Sequence, residues 1–344
     1  MKALIFPAMR TLALCLMAVT LTATTLANHY HSSVQDKDKK AAQVSGDEQK
    51  ALNKMEAAAD INAKMQAAGE FIKKYPKSIK RLDAAKYMSG EISKADPAAQ
   101  VTLAQTFLGI FTDAKEAGLI NTILVDAYLK SNKVDDAFKT GAAYLEKNPE
   151  DAAVLTQLAY AGIEQAKRQN TAYVQQSVTY ATKAIALIEA DKMPESYSAE
   201  KWTEFKTQWH PILYQSLGLV SYMSNNKDDA KVKFEKAAAL NPAEPFTYAM
   251  LGSLANEEYQ VLAERHKTMM SGPLKDETLK RANAKIDEVI EFFARTVALS
   301  AGKPAYQNLH DQILQDLTAY YKYRHNNSAD GLQAFIDKYK KPAQ

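Results

Sequence analysis

From Asp47 onward, apolar side chains recur every three or four residues almost without interruption, the period of an amphipathic helix. The pattern predicts helices at 47–58, 60–74, 78–94, 97–115, 118–131, 134–147 and 151–168. Further helices are predicted at 171–190, 198–223, 227–240, 245–270, 275–300, 304–325 and 328–340. Short connections make them antiparallel pairs, about seven in all. Asn148-Pro149, Asn241-Pro242 and Tyr75-Pro76 stop helices, because proline cannot continue one. Ser131-Asn132 and Ser224-Asn225-Asn226 supply tight turns inside two of the pairs. Asp135-Asp136 and Asp228-Asp229 follow in the next first turn, where they complement the positive end of the helix dipole.

A three-residue signature repeats in register. Leu124, Ala137 and Pro149 return as Leu217, Ala230 and Pro242, with the same gaps of thirteen and twelve residues. Units of about 34 residues with this spacing are stacked helix pairs. The best copy, 211–244, has Tyr214, Leu217 and Gly218 on its first helix. Ala230, Phe234, Ala237 and Pro242 follow on its second. Gly218 and Ala230 are the small residues that let two helices approach, and Leu217 and Phe234 fill the space between neighbours.

These residues resemble the tetratricopeptide repeat (TPR) family. Ser221 departs from the family's Tyr, and Asn121 and Val125 depart from its aromatic and Gly positions in the copy at 118–151. The resemblance extends to 152–210, which carries insertions, and to 245–303, where no second helix begins until after Gly272-Pro273. It implies an all-α fold for 47–340: a right-handed α-solenoid of antiparallel helix pairs. It also implies a concave groove lined by the first helix of each pair, and no enzymatic activity. The projecting groove candidates are Asp126 and Lys130, then Tyr160 and Glu164, then Gln215, Leu219 and Tyr222, and finally Met250 and Glu257. Thr122 and Asp126 stand where the family's carboxylate clamp would need Lys and Asn, which argues against a peptide's terminal carboxylate as the ligand.

Composition narrows the picture. The chain has 344 residues, 47% hydrophobic and 24% charged, with only 12 Gly and 11 Pro, which suits a helical fold. Residues 1–27 read as a secretory signal peptide: Lys2 and Arg10 precede an uncharged run, and Thr25-Leu26-Ala27 offers a cleavage site. A retained anchor is the alternative. Residues 28–46 read as a disordered polar spacer. Cys15 is the single cysteine, so cleavage leaves no thiol chemistry. The formal charge of +3 falls to +1 without Lys2 and Arg10 and gives no footprint for nucleic acid.

Catalytic patterns are missing from the sequence. Ser300-Ala301-Gly302-Lys303-Pro304 lacks the upstream Gly and the Ser/Thr of a phosphate loop. No cofactor is implied. Cleavage after Ala27 would free Asn28-His29-Tyr30-His31, whose amine and imidazoles make His29 and His31 weak candidates for Cu(II) or Ni(II). Trp202, Phe205 and Trp209 share one helix face, either as a buried stripe or as an aromatic platform. The reading that results is an exported, non-enzymatic scaffold whose groove holds a protein or peptide. The alternatives are a small-molecule or metal-binding exported protein, and a structural subunit of an envelope complex.

Overall fold

The computed structural model describes residues 44–194 and 197–340. Among them are fourteen α-helices and no strand. The first seven are α1 (Gly46–Glu56), α2 (Ile61–Lys74), α3 (Arg81–Ile92), α4 (Pro97–Ile110), α5 (Ala114–Lys130), α6 (Val134–Lys147) and α7 (Ala152–Lys167). The rest are α8 (Val174–Glu189), α9 (Ala199–Met223), α10 (Lys227–Leu240), α11 (Pro245–Thr268), α12 (Pro273–Ser300), α13 (Gln307–Arg324) and α14 (Leu332–Asp337). Each falls on a predicted helix. The predicted signal peptide lies outside the described residues, as does the spacer up to residue 43. The end of the spacer needs correction. Ser45 caps α1 with its hydroxyl, and Glu48 returns a bond to the Ser45 backbone, so helix starts at Gly46.

Short polar side chains set most of the starts. Asp60, Asp96, Asp113 and Asp151 accept bonds from backbone N–H groups that have no partner inside their helices. Asp113 also explains a shifted boundary. The predicted helix 97–115 ends at Ile110, because buried Phe111 leaves the helical conformation and Asp113 opens α5.

The turns inside the two signature pairs are superimposable in detail. Asn132 and Asn225 take left-handed backbone angles, φ 56° and 58°. Asparagine tolerates this conformation better than most residues. In each turn the following residue closes a long cap: Lys133 N–H donates to Tyr128 O and Asn226 N–H to Ser221 O, both at 2.8 Å. Donors and acceptors are each displaced by the same 93 residues as the sequence signature.

The described residues form two compact units that meet between Gly162 and Ile163, inside α7. In both units the main contacts join helices that are adjacent or next-adjacent in the chain, so the packing is local throughout.

The first unit holds α1 to α6 and most of α7. Alternate helices touch, α2 with α4 and α3 with α5. Its core contains Phe71, Phe107, Phe111, Ile120, Leu155 and Leu158, all fully buried. Arg81 of α3 grips Glu116 of α5 through two bonds of 2.7 and 2.8 Å, and both side chains are largely buried.

The second unit holds the end of α7 and α8 to α14. Phe234 fills the space between α9, α10 and their neighbours, as the sequence predicts. Gly218 faces it so closely that a Cβ there would sit 3.1 Å from the Phe234 ring. A larger cluster around Ile286, Phe293, Ile313 and Leu317 joins α11, α12 and α13. The last predicted pair is altered. α14 has only six residues and packs against α12, and Tyr321 ties its approach by donating to Asp330 O at 3.2 Å.

Candidate partner-binding residues

In the first unit, α5 carries Asp126 and Lys130 one turn apart. They form an ion pair at 2.6 Å, with the Asp126 side chain 31% exposed and that of Lys130 41%. Tyr160 of α7 is half-buried and engaged with other residues of the chain. Thr156, one turn earlier on α7, is buried, and its hydroxyl finds no hydrogen-bond partner.

In the second unit the predicted polar positions are bonded within the chain, and two of them, Tyr222 and Glu257, to each other. Glu164 pairs with Lys167 at 2.6 Å. Gln215 of α9 donates its amide to Thr247 Oγ1 of α11 at 2.9 Å. Tyr222 donates its hydroxyl to Glu257 Oε1 at 2.7 Å, and Lys227 pairs with the other oxygen of that carboxylate. Burial, followed by the neighbouring Glu257, pushes the Tyr222 hydroxyl far above its ordinary pKa. Tyr222 and Glu257 are 35 residues apart, so this bond ties α9 to α11.

Two predicted groove residues are corrected. Leu219 is 6% exposed and Met250 3%, and both belong to the core around Phe234. The physical reason is crowding. α9 is packed by α8 and α10 and is bonded to α11 as well, so a side chain that a lone pair would project outward is covered.

The aromatic stripe is also mostly interior. Trp202 stacks on Phe205 at 5.4 Å, and Tyr197 meets both rings edge-on. Trp202 donates its indole N–H to Asp191 Oδ1 at 2.8 Å. Both Trp202 and Phe205 are buried, so they form a core stripe that docks the start of α9, not a platform. Trp209 is half-buried.

Several polar arrangements were not legible in the sequence. Tyr320 of α13 donates to Asn256 Oδ1 of α11 at 2.6 Å inside the core, 64 residues away. Glu244 caps α11 and takes two 3.0 Å contacts from the Tyr306 hydroxyl. Burial pushes the Glu244 carboxyl above its usual range, against the pull of Phe246 N–H and Tyr306. His210 lies tilted at 36° against the Tyr214 ring, centroids 5.3 Å apart, and Tyr214 shares Glu189 with it. Burial pulls the His210 pKa below its ordinary value even though Glu189 opposes the shift. The i, i+4 spacing of His210 and Tyr214 was visible; Glu189 on the preceding helix was not.

An open cleft of about 570 Å³ lies between α11 and α12, lined by Glu258, Val261, Leu262, Ala284 and Lys285 among others. Lys285 bridges Glu258 and Glu288 at 2.9 and 2.6 Å. Burial disfavours its charge, but the two carboxylates outweigh that and hold its pKa high.

Among the described residues, no group of three or more His, Cys, Asp or Glu is placed to hold a metal ion. His29 and His31 lie outside the described residues. No described helix is long and apolar enough to cross a membrane. No protein-family model matches the chain, and no curated protein matches it.

Proposed function

We propose that this chain is an exported, non-enzymatic TPR-like scaffold that binds a protein or peptide along the first helices of its pairs. The observation that carries this reading is the equivalence of the two signature pairs. Leu124 and Leu217 are buried, as are Ala137 and Ala230, and their turns share one backbone geometry and one closing bond. Stacked units of this kind present long faces over which an extended polypeptide can spread its contacts. Asp126, Lys130 and Tyr160 are the partly exposed positions of that face in the first unit. Export rests on the leader-like residues 1–27.

The small-molecule alternative is weakened, because Trp202 and Phe205, its aromatic platform, are interior. A crosslinking pull-down from the cell envelope with a C-terminally tagged chain tests the scaffold reading. One dominant polypeptide is expected, and it should be lost when Asp126 and Tyr160 are both changed to Ala. Retention of every captured polypeptide by that variant would overturn the groove assignment.

A further inference from the structure

The α11–α12 hairpin is longer than α10 and α13 beside it, though α9 is as long as α11, and its outer end carries the most exposed large apolar side chains of the second unit. α11 and α12 have 24 and 28 residues, against 14 for α10. Two ion pairs mark where the neighbours stop. Lys227, the first residue of α10, pairs with Glu257, and Arg324, the last of α13, grips Asp287 at 2.7 and 3.0 Å. Beyond these levels α10 and α13 still reach Glu258, which pairs with Lys231 at 3.8 Å, and Tyr259, which meets Tyr320 edge-on at 6.3 Å; the bonds of Glu264, Met269 and Thr278 further out lie within the hairpin. From Asp287 back to Pro273, α12 runs about 21 Å at 1.5 Å per residue.

At the far end, the chain turns through Gly272, whose φ of +152° suits glycine alone. Met269 turns inward, where its sulfur receives the Thr278 hydroxyl at 3.4 Å, and Lys275 ties the turn by donating to Met269 O at 2.9 Å. Met270 and Leu274 point out instead, 91% and 70% exposed, and Val261 is 69% exposed further down. An apolar end that the protein leaves uncovered marks an interaction surface.

Charge selects the partner. Residues 264–281 carry five basic and three acidic side chains, in a chain whose formal charge is only +3. One of the acids, Glu264, is already held by Lys267 at 2.9 Å. Arg265, Lys280 and Arg281 make no ion pair among the described residues and are exposed. Exposed Met and Leu flanked by an excess of basic over acidic side chains, with the exposed Asp276 and Glu277 among them, match a surface with an apolar interior beneath an anionic layer.

We propose that the α11–α12 tip docks on an anionic lipid bilayer, with Met270 and Leu274 entering the acyl boundary while Arg265, Lys280 and Arg281 meet headgroup phosphates. The contact is peripheral and separate from the first-helix face assigned to a polypeptide partner. It anchors the chain at a membrane surface through the second unit.

The test uses the full chain with Cys15→Ser and Ser271→Cys, labelled at the tip with a polarity-sensitive dye. Vesicles of phosphatidylglycerol and phosphatidylcholine, and vesicles of phosphatidylcholine alone, are added separately. A blue shift with the anionic vesicles alone is expected. The M270S/L274S pair should weaken that partitioning about tenfold or more, since two exposed apolar side chains supply the insertion. K280E/R281E, or 0.5 M salt, should weaken it as well. These side chains are exposed, so melting temperatures should not change. No shift with anionic vesicles would overturn the proposal, as would equal binding to neutral ones or a shift that survives M270S/L274S. Self-association in the absence of vesicles that is lost in M270S/L274S, with no vesicle binding, would assign the tip to a second copy of the chain and also overturn it.

Discussion

Changing Gly252 to Ala should destabilise the second unit, although alanine is the better helix former. Gly252 lies in α11, 34 residues after Gly218, and like Gly218 it faces a phenylalanine ring closely. A Cβ there would sit 2.5 Å from two carbons of the Phe293 ring and 3.3 Å from Phe292 Cβ. Phe293 is fully buried between α11, α12 and α13, so the ring cannot simply swing aside. Overpacking of a tight core costs about 1–3 kcal/mol. Replacing Gly by Ala inside a helix returns about 1 kcal/mol. The net expectation is a loss of up to about 2 kcal/mol, or a fall in melting temperature of up to roughly 8 °C for a unit of this size. Both tryptophans, Trp202 and Trp209, fall in the second unit, so their fluorescence follows its unfolding specifically. Gly90→Ala is the matched control. It lies in α3 of the first unit with nothing within 4 Å of the added carbon. It should leave the fluorescence midpoint alone and raise the circular-dichroism midpoint slightly. A fluorescence midpoint that rises in Gly252→Ala would refute the close-packing argument.

Other substitutions separate the remaining claims. Glu116→Ala strands the Arg81 guanidinium in a largely buried site and should cost the first unit about 3–5 kcal/mol; a loss below 1 kcal/mol in denaturant titration would contradict that. Tyr306→Phe removes the hydroxyl held by Glu244 and should cost about 1–3 kcal/mol at neutral pH. Burial raises the folded-state pKa of Glu244, so stability from this group is fullest when it is protonated and is lost as pH rises through that value. The Tyr306→Phe deficit should therefore shrink in melts run below about pH 4. His210 has the opposite sense for an imidazole. Its folded-state pKa is depressed, so the unfolded chain binds the proton more readily, and stability falls as pH drops below about 6.5. Fluorescence melts at pH 7.5 and 5.5 should show a smaller loss for His210→Gln than for the parent chain, and equal losses would exclude His210 as a contributor.

Helix order was readable because its determinants are local. Apolar period, Asp and Ser caps, prolines and left-handed asparagines act within a few residues, and each marks its own boundary. Helix-to-helix bonds are not local. Tyr222 with Glu257 joins residues 35 apart, and Tyr320 with Asn256 spans 64 residues. No spacing rule in a single sequence identifies such partners. The same limit explains Leu219 and Met250. Helix phase placed them on the right helices, but whether a projecting side chain is covered depends on how many neighbours crowd that helix. The exposed tip was legible only as an insertion ahead of the second helix that begins after Gly272-Pro273. Its apolar exposure required knowing where α10 and α13 end.

The central claim is that a polypeptide lies along the first helices, and site-specific photocrosslinking in living cells tests it most directly. A photoreactive amino acid is placed in turn at Asp126 and Tyr160 on α5 and α7. The controls are Lys139 and Lys183, exposed residues on the second helices α6 and α8. The account requires one polypeptide adduct, the same from positions 126 and 160 and missing from 139 and 183. Adducts only from the second-helix positions, or none from either first-helix position, would contradict it.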